Sequence, residues 1–220
     1  MPRQRRVYIY SMEKKKVLAY FDGSNFYHLA KFNYKISKID FEKLANNLID
    51  KKSEEIVKIN YFTAPVNRQE KPNLYSNQQK FFAQLGKNPL IQIHFGKLAR
   101  RPLNKINITC DNCGIQEAES LSCPKCGKEI RLSETYKSTE KGVDVNLAIN
   151  LLLDGLNNQY DKALLFSSDA DFCPAIKYIV TNLKKEIIFC AFPKPRTNEL
   201  VQCCSETLKI TKKIIEESRI

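Results

Sequence analysis

Histidine is scarce: His28 and His94 are the only two in 220 residues. Neither lies in the acidic motifs described below, so a histidine general base is not expected. His28 reads as a helix-surface residue, and His94, at the end of a strand, as structural. Long apolar runs are missing too. No segment reaches the roughly 20 apolar residues of a membrane span. Val7-Tyr8-Ile9-Tyr10, behind a basic start, is too short for the apolar core of a signal peptide. A cytoplasmic protein with reduced thiols and no membrane partner is the expectation. Seven glycines and nine prolines are too few for a low-complexity chain. No Ser/His/Asp or Cys/His set is evident, so a covalent intermediate is not expected.

Acid is in deficit as well. Against 36 Lys+Arg stand 24 Asp+Glu, which gives a net charge of +12 and a pI near 9.3. Such a surface suits a polyanionic partner, most simply nucleic acid. Residues 1–16 form a basic arm with Arg3, Arg5, Arg6, Lys14, Lys15 and Lys16 against Glu13. Much of the excess must still lie on the folded body.

What is present is an alternation of strand and helix patterns. Apolar runs predict strands at about 17–22, 56–62, 90–95, 162–167 and 186–190, with a short one at 207–210. Helical patterns fall within 24–31, 40–51, 70–86, 139–154, 169–182, 198–204 and 211–219. In the helix at 139–154, Val143, Leu147 and Leu151 mark the apolar stripe, and Ile149, Leu152 and Leu153 widen it. This order reads as βαβ units around a mainly parallel sheet. The expected organisation is a basic arm over 1–16, one α/β domain over 17–99 and 137–220, and an insertion over 100–136.

The insertion has its own chemistry. Cys110-Asp111-Asn112-Cys113 and Cys123-Pro124-Lys125-Cys126 are two C-x-x-C pairs nine residues apart, each followed by glycine. Each pair can present two thiolates to one tetrahedral Zn²⁺, and the alternating flanks complete a zinc ribbon. Cys110, Cys113, Cys123 and Cys126 leave no position open for water, so the zinc is expected to be structural. The ribbon carries Arg100, Arg101, Lys105, Lys125, Lys128 and Arg131. These either grip nucleic acid or a partner, or are the solvated face of a stapled loop. Cys173, Cys190, Cys203 and Cys204 lack ligand spacing and read as core thiols.

The aspartates carry the functional reading. Asp22 ends the first strand, Asp144 opens the helix at 139–154, and Asp169 and Asp171 follow the fourth strand. Carboxylates at the carboxyl ends of parallel strands converge on one crevice. Such a cluster calls for a hard cation, Mg²⁺ or Mn²⁺. Each acid alone could be only a helix cap.

Together, three motifs are far more specific: Asp22-Gly23-Ser24-Asn25, Lys141-Gly142-Val143-Asp144, and Ser167-Ser168-Asp169-Ala170-Asp171-Phe172. They resemble the NYN domains of the PIN-like ribonucleases, particularly the bacterial and archaeal LabA-like group. Tyr61-Phe62-Thr63-Ala64-Pro65, Phe192-Pro193 and Arg196-Thr197-Asn198-Glu199-Leu200 resemble that group as well. The resemblance covers about 17–96 and 137–212 and leaves the ribbon unexplained. Ser168 and Ala170 stand where many relatives have glycine, a change expected to leave the metal ligands intact and to narrow the approach of substrate.

The resemblance implies an α/β, PIN-like (Rossmann-like) three-layer fold. It also implies metal-dependent hydrolysis of RNA. By position, Asp22, Asp144 and Asp169 would be Mg²⁺ or Mn²⁺ ligands, Asp171 a fourth acid and Asn25 a site neighbour. Ser167 and Ser168 would hold backbone or phosphate. Lys141, Arg68, Lys71, Lys194 and Arg196 are candidates to contact the RNA backbone. Phe26, Tyr27 and Tyr75 could stack bases, although aromatics at such spacing usually belong to a core. Water activated by one or two ions would leave a 5′-phosphate and a 3′-hydroxyl.

The alternative is a nucleic-acid-binding module with an inactive site, acting through its ribbon. The complete set of four acids favours the enzyme. An aspartyl phosphatase fits less well, because Ser24 stands where such enzymes usually need a second acid. A small domain rarely encloses a long RNA groove alone, and a homodimer would meet that need.

Overall fold

The computed structural model describes residues 13–102, 106–107, 112, 114, 117–118, 120–132, 136–194 and 197–220. Residues 1–12 of the basic arm lie outside the described residues. The first half of the chain forms β1 (Lys15–Asp22), α1 (Gly23–Tyr34), α2 (Phe41–Asn46), β2 (Glu54–Thr63), α3 (Pro72–Leu85) and β3 (Ile91–Phe95). An excursion follows, through β4 (Lys97–Pro102), β5 (Ile106–Asn107), β6 (Glu117–Ala118), β7 (Ser120–Ser122), β8 (Glu129–Arg131) and β9 (Tyr136–Lys141). The chain returns through α4 (Val143–Leu156), β10 (Lys162–Phe166), α5 (Cys173–Tyr178), β11 (Glu186–Ala191), α6 (Asn198–Cys203), β12 (Glu206–Lys209) and α7 (Lys212–Glu217).

Six strands make one parallel sheet in the order β3-β2-β1-β10-β11-β12. The first three strands wind one way from β1, and the last three wind the other way from β10. A parallel sheet is covered on both faces, so its strands read as unbroken apolar runs. All six residues from Val17 to Asp22 are buried accordingly. Val17, Ala19 and Phe21 face one core layer with α1, α2, α3 and α7. Leu18 and Tyr20 face the other with α4, α5 and α6. The fold is thus the three-layer α/β architecture expected from the alternating pattern. Among the described residues, no helix is long and apolar enough to cross a membrane.

Charge pins the sheet at its amino-terminal end. Lys162 of β10 bonds Glu54 of β2 and lies 3.5 Å from Glu186 of β11, while Lys15 of β1 reaches Glu186 at 2.9 Å. Hydrogen bonds to Glu54 and Glu186 raise the Lys162 pKa despite the opposing effect of burial. One ammonium thereby ties three strands in register.

The structure departs from the sequence pattern in four places. The helix expected at 139–154 begins only at Val143, because Gly142 sits at φ +78°, in the left-handed region that halts helix propagation. The residues before it form β9, which pairs antiparallel with the unforeseen β4. These two strands are a polar stalk leading out to the cysteine insertion, and polar edge strands give no apolar signal. The helix expected at 169–182 is divided into a 3₁₀ turn (Ala170–Phe172), α5 and a π turn (Ile179–Leu183). Ile149 and Leu153 do not widen the core stripe of α4, for both lie about half exposed.

Removing one partner from a mostly buried ion pair leaves the other charge uncompensated. Lys162→Ala is therefore expected to lower the unfolding free energy by about 2–4 kcal/mol, read from urea denaturation. Lys15→Ala, at a far more exposed pair, should cost less than about 1 kcal/mol.

Candidate active site

The sheet order reverses between β1 and β10, and a ligand crevice opens outside the carboxyl ends of strands at such a switch point. Asp22 is the last residue of β1, and Ser167, Ser168 and Asp169 directly follow β10. The register sets Phe21 beside Phe166, their rings stacked at 3.9 Å, so the two strands deliver their next residues side by side.

Asp22 is only 5 % exposed. It caps α1 by accepting a hydrogen bond from the Asn25 backbone N–H at 3.1 Å on Oδ1. Its Oδ2 accepts the Ser167 hydroxyl at 3.0 Å. Ser167 Oγ in turn accepts the Asp169 N–H at 3.2 Å. Asn25 closes the other side of the loop: its Oδ1 accepts the Ser168 N–H at 3.1 Å, and its Nδ2 donates to Ser168 Oγ at 3.2 Å. Thr197 donates to the Ser168 carbonyl at 3.0 Å. Asp169 caps the 3₁₀ turn, accepting the Asp171 N–H at 2.9 Å. Motifs 143 residues apart are thus one hydrogen-bonded unit.

The electrostatics of this unit are unbalanced. Burial pushes the Asp22 carboxyl up from 3.8 to about 6, and the charges of Asp144 and Asp169 add to the effect against two lowering hydrogen bonds. Asp144 is raised by burial of its carboxyl and by Asp169 and Asp171. Among the described residues, none of these acids has a Lys or Arg ion partner. Their chemistry, all-oxygen and anionic, suits a hard divalent cation. Among the described residues, no three His, Cys, Asp or Glu side chains are already grouped as a ligand set.

Beside the crevice runs a groove of about 790 Å³, lined by Gly23, Ser24, Tyr27, Tyr61, Ser138 and Glu140 among others. Glu140 is an acid that the sequence pattern did not single out. It arrives on the β9 stalk, and burial, Asp22 and Asp144 raise its pKa. The signal available was its place immediately before the Lys-Gly-Val-Asp motif. Tyr61 is raised by burial, Asp22 and Glu140, so its hydroxyl stays protonated beside the acids. Gly23 is required by the Tyr61 ring: a β-carbon there would lie 2.5 Å from Tyr61 Cζ.

The other expected residues are dispersed. Arg68 and Lys141 are exposed, and neither lines the groove, whereas Lys71 does. Arg196 lies outside the described residues, as do Cys110 and Cys113. Cys123 and Cys126 occupy the turn of the β7–β8 hairpin, where Gly127 at φ +69° donates to the Cys123 carbonyl at 2.8 Å. Backbone N–H groups of Cys126 and Lys125 lower the Cys123 pKa. Phe26 is core, and Tyr27 is 42 % exposed. His94 Nε2 lies 3.0 Å from Asn60 Oδ1, with its ring stacked on Phe62, a structural arrangement. Cys190 and Cys203 are buried, while Cys173 and Cys204 are partly so.

The family model for the NYN domain matches residues 16–211. The chain belongs to the NYN domain family. NYN domains are generally nucleases of the PIN-like kind, and a nuclease fold is what this sheet order and acidic switch point present. No curated protein matches the chain significantly. Among solved structures, a protein of unknown function from Vibrio parahaemolyticus is similar at 14 % identity and a TM-score of 0.57. The match covers 94 % of this chain and 97 % of that one, and it shows a shared fold.

The raised Asp22 pKa has a stability consequence in this NYN domain. The folded state holds the Asp22 proton more tightly than the unfolded chain, so the cost of ionising it is absent below 3.8 and full above about 6. In chelator at neutral pH, Asp22→Asn should be more stable than wild type by about 1–3 kcal/mol. The gain should fade as the pH drops through that window. Urea midpoints across the pH range check this, and a less stable variant at neutral pH would contradict it.

Proposed function

We propose that this protein is a metal-dependent ribonuclease, hydrolysing RNA phosphodiester bonds at the crevice between β1 and β10. The observation that carries the reading is Asp22: a buried carboxylate at the switch point, raised by two further acids, with no cation partner among the described residues. Asp22, Asp144 and Asp169 would hold Mg²⁺ or Mn²⁺. Once bound, such an ion supplies Lewis-acid chemistry, stabilising phosphate charge in the transition state and acidifying water.

The chain's own groups supply the rest. Ser167 and Asn25 fix the Asp22 rotamer and the loop after β10, so the acids need little reorganisation as the reaction proceeds. Asp171, an exposed acid of the turn after β10, would take the proton of the attacking water. Attack by water with the 3′ oxygen as leaving group would give a 5′-phosphate and a 3′-hydroxyl. Glu140 and Tyr61 line the groove that receives the chain on one side of the scissile bond. Lys71 on the groove wall, Arg68 and Lys141 outside it, and Arg196 would contact phosphates.

The cysteine insertion supports a second, structural metal. The β7–β8 turn presents Cys123 and Cys126 together, and backbone N–H groups already lower the Cys123 pKa. With Cys110 and Cys113 they would hold one Zn²⁺ as a closed four-thiolate site. Purified protein is expected to contain one zinc per chain by atomic absorption. Cys123→Ser should lose it while keeping the main thermal transition, since the β7–β8 turn contributes nothing to the packed layers of the central sheet.

Labelled single-stranded RNA incubated with Mn²⁺, Mg²⁺ or chelator tests the nuclease. Cleavage should need the divalent ion, leave 5′-phosphate ends, and fall at least about 100-fold in Asp144→Asn. RNA binding without cleavage under any ion would refute the enzyme reading and leave a binding module. Undiminished cleavage by Asp144→Asn would show that the acids are misassigned.

A further inference from the structure

We propose that the outer face of α1, continued by the Lys194 loop, is a stacking platform for single-stranded RNA leading out of the acidic crevice. The proposal rests on the ribonuclease reading and names how the substrate is held. Three observations carry it: exposed aromatics, cations without acids, and continuity with the groove.

Tyr27 and Phe32 are 42 % and 63 % exposed on a helix whose inner side buries Phe26 and Ala30. Residues four apart share a helix face. Tyr27 therefore stands beside Lys31, whose Nζ lies 5.7 Å above its ring, and His28 beside Phe32. Tyr27 and His28 also meet edge to face at 5.5 Å. Two aromatic faces and an imidazole thus sit in water next to ammonium groups.

No Asp or Glu occurs between Gly23 and Ile39, whereas Lys31, Lys35 and Lys38 do. A fourth cation is latched on. Asn33 donates from Nδ2 to the Lys194 carbonyl at 2.7 Å and accepts the Lys194 N–H at 3.2 Å on Oδ1. The loop after β11 is thereby held against the carboxyl-terminal turn of α1. Lys194 shares a depression with His28, Leu29 and Phe32.

His28 also lines the groove that begins at Gly23 and Ser24, so the two concavities form one track. From Ser24 to Phe32 the helix rises about 12 Å at 1.5 Å per residue. Unpaired bases offer π faces to such aromatics, and duplex bases do not. Lysines beside them neutralise phosphates and release counterions. A second copy of the chain is disfavoured here, because it would set lysine against lysine.

The test uses full-length Asp144→Asn protein, so that binding is read without cleavage, with fluorescence anisotropy of a labelled RNA of about a dozen nucleotides. Added Phe32→Ala should weaken single-stranded RNA binding roughly tenfold and leave binding of the same RNA as a duplex unchanged. Lys194→Ala should lower the slope of log affinity against log salt by about 0.7. Unchanged urea midpoints would show that both variants fold. Unchanged single-strand affinity in both would overturn the platform. So would a loss of self-association, by sedimentation, in place of a loss of RNA binding. In wild-type background, Phe32→Ala should raise the KM for RNA cleavage and spare kcat. Lost binding with no cleavage by any form would keep the platform and refute the nuclease; cleavage with an unchanged KM would do the reverse.

Discussion

A carboxylate buried where a parallel sheet divides is an expensive object, and much of this structure answers to Asp22. Burial and two neighbouring acids oppose its ionisation. The fold offers it two hydrogen-bond donors and a helix N-terminus, yet no ammonium or guanidinium among the described residues. An ion pair would have been the easy way to neutralise it, as Lys162 does for Glu54 at the opposite end of the same sheet. The two ends of the sheet thus use charge in opposite ways. At the amino end a cation locks three strands together. At the carboxyl end acids converge without one, and folding stability is spent to keep them there.

The layers around the sheet make that concentration of charge tolerable. On one face Phe21, Phe26, Phe41, Phe166 and Phe192 pack edge to face and stacked beneath the crevice. They hold β1, α1 and β10 in a dense, inflexible cluster. On the other face Tyr20 donates to Asp154 at 2.6 Å, tying α4, and so the helix that carries Asp144, to the central strand. The positions of Asp22 and Asp144 are therefore inherited from the core.

The central sheet was legible because strands covered on both faces must be apolar throughout. Val17–Phe21 and Ala163–Phe166 announce themselves without alternation. The acidic motifs were legible for a related reason: polar residues straight after such runs can only stand at the carboxyl edge. The stalk was not legible. β4 and β9 are polar strands paired only with each other, and the hydrophobic pattern has nothing to register there. Glu140 was missed with them, since its role depends on a register that brings a polar strand back to the crevice. Phe32 was missed because helical periodicity counts an exposed aromatic as noise, and only its neighbours on α1 give it meaning.

The plain reading and the functional reading of each aspartate turn out not to compete. Asp22 caps α1, Asp144 stands in the first turn of α4, and Asp169 caps the 3₁₀ turn. Capping accounts for Asp22 and Asp169 in a local sense, and Asp144 complements the α4 dipole. A carboxylate has about four lone-pair sites, however, and a cap engages one or two of them. The amino termini of α1 and α4 both point their partial positive charge toward the crevice, which offsets some of the repulsion and orients the remaining lone pairs. Helix starts are thus the device by which backbone holds three acids near one another, and under the proposed function their unused oxygens would face the cation. A helix cap chosen for stability alone would gain nothing from burial beside two more acids. It is the convergence of two caps and a first-turn acid on one switch point that separates a site from a set of helix starts.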